Sequence, residues 1–152
     1  MSAAARPSGS VRPAGDAATV RSPVLLIVGG GTVSRAAICR ATGLAGDARV
    51  TVLGVGTEAP GEPAGELVRR AVARAMSALN HDHVMALGHI SVTGSPARTI
   101  ARMARARGAR AVVLDQMSGL ADGLSGELRR RLHGSGIAVV AAAEPAPQTG
   151  AP

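Results

Sequence analysis

Four features of the sequence carry residue types that could do chemistry. The first is Gly29-Gly30-Gly31-Thr32, directly after the apolar run Val24-Leu25-Leu26-Ile27-Val28. A glycine turn between a strand and a helix lets backbone N–H groups approach a phosphate. Gly29 and Gly31 match the first two glycines of a dinucleotide fingerprint, but Ser34 stands at the third, where close helix packing needs glycine. A tight strand-to-helix turn is the favoured reading. The second feature is the cluster His81, Asp82, His83 and His89. Its spacing does not suit a metal, because His81 and His83 share a face only in extended chain and His89 lies inside a separate strand. The third is Cys39, which sits beside Ile38 in a helical stretch and is expected to be a buried, inert thiol. The fourth is the set Arg98, Arg102 and Arg105, one face of a helix whose other face carries Ile100, Met103 and Ala104. Such a face is usually solvated; its sharper reading is a dock for an acidic protein partner.

Composition removes several functions. The 152 residues contain no Lys, so all 17 basic residues are Arg. A Walker phosphate loop and Schiff-base catalysis both need a Lys. The formal charge of +7 invites a nucleic-acid reading, but the sequence has no Phe, Tyr or Trp to stack on a base. Nucleic acid is therefore not the expected partner. No apolar run approaches the length of a membrane span. The single Cys cannot form an internal disulfide, and a reducing, cytoplasmic setting is expected. No Ser-His-Asp set or carboxylate pair recurs, so the chain is not expected to be an enzyme.

The elements that position these residues alternate along the chain. Residues 1–22 and 143–152 are rich in Ala, Pro, Gly and Ser and are expected to be disordered tails. Residues 23–142 form one domain. Apolar strands are expected at 24–28, 50–55, 84–92, 111–114 and 137–142, with helices from near Val33 to Gly43 or Gly46, and near 62–80, 96–108 and 122–133. Leu67, Ala71, Ala75, Ala78 and Leu79 mark the buried stripe of the second helix. Ser95 is expected to cap the third, with Pro96 at its first position. Alternation of this kind specifies an α/β class, a three-layer α/β/α sandwich over a five-stranded parallel sheet.

The order of motifs resembles the universal stress protein family over residues 23–142. Gly94-Ser95-Pro96-Ala97 resembles the family's middle signature. Gly123-Leu124-Ser125-Gly126-Glu127, followed through to Val140, resembles its closing helix and strand. The resemblance implies a sheet ordered 3-2-1-4-5 with a ligand crevice where the order reverses, between strands one and four. It implies a regulatory binding protein and ATP as the ligand. The candidate contacts are Gly29, Gly30, Gly31 and Thr32 from the first turn and Asp115, Gly119, Gly123 and Ser125 from the loop after strand four. It also implies a homodimer paired through the strand from Ile137 to Ala142, an apolar edge with no charge of its own to prevent pairing.

The sequence departs from the family at the phosphate loop. Asp115 stands in place of a glycine, and seven residues separate it from Gly123, where the family pattern has twelve. Leu124 replaces a hydroxyl residue. A shortened loop carrying a carboxylate implies weak or absent ATP binding. The alternative is a nucleotide-binding or nucleotide-hydrolysing enzyme that uses the same crevice.

Overall fold

The computed structural model describes residues 23–30, 32–56, 64–115 and 123–142. Both expected tails lie outside them. Five parallel strands alternate with four helices: β1 (Val24–Val28), α1 (Arg35–Ala45), β2 (Val50–Gly56), α2 (Ala64–His81), β3 (Ala86–Val92), α3 (Pro96–Ala106), β4 (Ala111–Asp115), α4 (Leu124–Arg131) and β5 (Ala138–Ala142). The sheet runs β3-β2-β1-β4-β5, the order expected. Val24 pairs with Val50 on one side and Ala111 on the other, and β4 carries Asp115 opposite Ala142.

The three central strands are buried at every position. Continuous apolar runs are what a strand covered on both faces requires. Successive side chains alternate between two layers. Leu26, Val28, Val50 and Val52 pack with Ala37, Ile38 and Ala41 of α1 and Val68, Val72 and Leu79 of α2. Leu25, Ile27, Leu53 and Leu114 pack with Ile100 and Ala104 of α3 and Leu124 and Leu128 of α4. Burying one Leu side chain of this kind stabilises the fold by roughly 2 kcal/mol. The core contains no ring, so Val, Leu, Ile and Ala supply its area.

Several local expectations change. The buried stripe of α2 includes Val68 and Val72, while Leu67 and Ala78 are only half-buried. Val68, Ala71, Val72, Ala75 and Leu79 recur at helical spacing and form the stripe. A Cβ at Gly54 would run into the side chains of both Val68 and Val72, so the glycine lets α2 lie close to β2. Cys39 is exposed, contrary to expectation, because α1 buries Ala37, Ile38, Ala41 and Ala45 and that stripe leaves position 39 outside. Pro96 does open α3, but the Ser95 side chain makes no cap hydrogen bond. Thr93 Oγ1 accepts from the Ser95 N–H at 3.0 Å instead. Helix α4 is shorter than expected at both ends, and its last turn is Arg129, Arg130 and Arg131.

Candidate functional site

The candidate site is the carboxyl ends of β1 and β4, the point where the strand order reverses and where open α/β sheets take ligands. Its first wall is the β1–α1 turn. Gly29 is buried and forms an isolated antiparallel bridge with Thr32. Gly30 is exposed at φ +72°, a conformation that only glycine adopts without strain. Thr32 is exposed, and Gly31 lies outside the described residues.

Ser34 then caps α1. Its Oγ accepts from the Ala37 N–H at 3.1 Å, and its own N–H donates to Asp115 Oδ2 at 2.9 Å. Asp115 is 2% exposed and is the last residue of β4 rather than the first of the loop. The N-terminus of α1, the positive end of its helix dipole, therefore faces a carboxylate that the chain itself provides. An external anion at this helix end would meet that charge. Sequence reasoning missed Ser34, although a Ser before a helical pattern is the standard signal for such a cap.

The second wall starts at α4. Gly123 is its exposed N-cap at φ −77° without a side-chain cap bond, and Ser125 is half-buried in the first turn. Gly119 and the rest of the loop at 116–122 lie outside the described residues. The structure thus brings Asp115, Ser34 and the Gly29–Thr32 turn to one end of the sheet.

The other candidates lie elsewhere. His81 ends α2, His83 is exposed at φ +62°, and the half-buried His89 of β3 takes a hydrogen bond at Nε2 from Arg107 Nη2. Among the described residues no group of three or more His, Cys, Asp or Glu could hold a metal. Cys39 lines an open groove of about 410 Å³ with Ala36, Arg40, Ala141 and Ala142. Arg98 and Arg102 are exposed on α3, and Arg105 is tied to α4 by donating to the Arg131 carbonyl. No described helix is long and apolar enough to cross a membrane.

A universal stress family protein from Burkholderia pseudomallei superposes with a TM-score of 0.58 at 22% identity, covering 80% of this chain and 95% of that one. The fold is that of the universal stress proteins. A universal stress protein from Archaeoglobus fulgidus aligns over 86% of this chain and 99% of its own, at 16% identity and a TM-score of 0.58. A universal stress family protein from Arabidopsis thaliana, solved with AMP bound, aligns over 84% and 95%, at 14% identity and a TM-score of 0.56. No protein-family model matches the sequence, and no curated protein matches it. The universal stress fold accounts for the reversal of strand order between β1 and β4.

Proposed function

We propose that this chain is a regulatory binding protein of the universal stress type, with weak or no affinity for ATP. The observation that carries the reading is Asp115. Its buried carboxylate occupies the N-terminus of α1 at the strand-order reversal, the place where open α/β sheets take ligands. A triphosphate brought there meets a fixed negative charge. A ligand with one phosphate or none suits the crevice better, and the AMP bound by the plant protein of the same fold supports that preference. Gly29, Gly30, Gly31 and Thr32 would line one side and Gly119, Gly123 and Ser125 the other. A lone exposed thiol at Cys39 favours a reducing compartment, the cytoplasm.

The deciding experiment is titration calorimetry with AMP and ATP, alongside incubation with ATP and Mg²⁺. AMP binding equal to or tighter than ATP, without turnover, is expected. Tight ATP binding with turnover lost in Asp115→Asn supports the hydrolytic alternative instead.

Pairing of two copies through β5 belongs to the same reading. The Ala138 N–H bonds to the Arg110 carbonyl. By the alternation of a parallel ladder, Val139 and Ala141 then turn their backbone groups to the free side. This edge is not as unprotected as its composition suggests, because Arg129 Nη2 donates to the Val139 carbonyl at 3.1 Å. A pairing strand has to displace that guanidinium. Arg98 and Arg102 remain the proposed dock for an acidic protein.

A further inference from the structure

The opposite edge of the sheet, β3, is more open than β5. The Val50 N–H bonds to the Met85 carbonyl, and the Thr93 N–H bonds to the Gly56 carbonyl. These two bonds fix the alternation between them. Leu87, His89 and Ser91 turn their backbone groups toward β2. Ala86, Gly88, Ile90 and Val92 turn theirs outward, where no partner is found among the described residues. Outward-facing positions without a partner among the described residues thus number four on β3, against two outward-facing positions on β5.

The side chains around this edge are apolar and basic. Five large apolar side chains are exposed among the described residues, and four of them are Met85 (69%), Leu87, Ile90 (42%) and Val92. No β3 residue belongs to the buried cluster on the α3 and α4 side of the sheet. A cationic group makes a polar contact there: Arg107 Nη2 donates to His89 Nε2. From residue 84 to residue 114 the chain has five Arg and no Asp or Glu. Edge strands are normally protected by a charge pointing inward, a proline or a bulge, and β3 has none of these.

We propose that β3 is a docking edge for an extended, acidic segment of another protein, which adds to the sheet as a sixth strand. Main-chain bonds to Ala86, Gly88, Ile90 and Val92 supply the pairing. Alternate apolar side chains of the segment cover Ile90 and Val92 on one face of the sheet, and its carboxylates meet Arg107 beside His89 on the other. A second copy of this chain is the poorer occupant. The antiparallel register that pairs all four outward residues sets Ala86 against Val92 and Gly88 against Ile90. It therefore sets His89 against His89 of the other copy and brings both Arg107 guanidinium groups to one seam, which like charges oppose. The proposal needs neither the nucleotide reading nor the β5 pairing. It shares the acid-free stretch with the Arg98–Arg102 dock but uses a different surface.

The test uses the full chain and a short synthetic peptide alternating Val with Glu, compared with the same peptide carrying Arg for Glu. Binding is read by fluorescence anisotropy, and the site by amide hydrogen exchange. The Glu peptide is expected to slow exchange at Gly88, Ile90 and Val92 and to leave Val139 and Ala141 unchanged. Ile90→Pro removes one outward donor without breaking a bond inside the sheet, and should weaken the peptide roughly fivefold. Arg107→Glu should invert the preference between the two peptides, and Arg98→Glu with Arg102→Glu should not. Equal binding of both peptides, protection at Val139, or an effect confined to the Arg98 and Arg102 variants would overturn the proposal. So would protection of β3 that rises with protein concentration in the absence of peptide, since the occupant is then a second copy.

Discussion

Replacing Asp115 perturbs the fold and the crevice together, and the two effects have opposite signs. The carboxylate is 2% exposed and accepts the Ser34 N–H at 2.9 Å, at the N-terminus of α1. Asp115→Asn keeps the size and one acceptor oxygen but removes the charge. A bond to a charged acceptor is worth about 1 kcal/mol more than a neutral one, and the buried helix end adds about 0.5–2 kcal/mol. Relief from desolvating the charge offsets part of this. The expected net loss is about 1 kcal/mol for Asn. Asp115→Ala also leaves a buried N–H without its acceptor and should lose about 3 kcal/mol. Urea unfolding followed by far-ultraviolet circular dichroism measures both, through the midpoint at constant m. The same Asn variant should bind AMP roughly tenfold more tightly, since a negative charge at the anion's position is gone. An Asn variant as stable as the parent, with AMP affinity unchanged or lower, would refute the argument. The carboxylate would then neither stabilise α1 nor repel anions.

Other expectations follow from the same packing and edges. Gly54→Ala places a methyl against Val68 and Val72 and should cost about 2–3 kcal/mol in urea unfolding, by pushing α2 off β2. Leu128→Ala, on the fully buried inner face of α4, should cost about 3 kcal/mol and lower the melting temperature by roughly 10 °C in calorimetry. If two copies pair through β5, Arg129→Ala should strengthen the dimer and Val139→Lys should dissociate it in sedimentation velocity. Identical sedimentation of both variants rules that edge out.

The strands were legible because a buried parallel strand is an uninterrupted apolar run, and Val24–Val28 and Ala111–Asp115 are nothing else apart from the final Asp. Their order followed from the resemblance and the helical crossovers. What stayed hidden depended on neighbours distant in sequence. Val68 and Val72 press close to β2 only because Gly54, on another element, has no side chain in their way. Asp115 reads as the start of a loop until its bond to Ser34, 81 residues away, places it at the end of β4. Composition shows β5 as uncharged, and only the geometry shows Arg129 reaching it from α4. Cys39 is the exception, since the spacing of Ala37, Ile38, Ala41 and Ala45 already pointed it outward.

Both buried layers are built without an aromatic ring. The folded protein is therefore nearly transparent in the near ultraviolet and has no intrinsic fluorescence. Any purine carried through purification shows its full absorption band on an empty background, so occupancy of the crevice can be read from a plain spectrum. The same lack of rings leaves the methyl groups of the core without ring-current shifts. Their resonances should crowd together even in the well-packed native state, and a narrow methyl spectrum from this protein would be no sign of disorder.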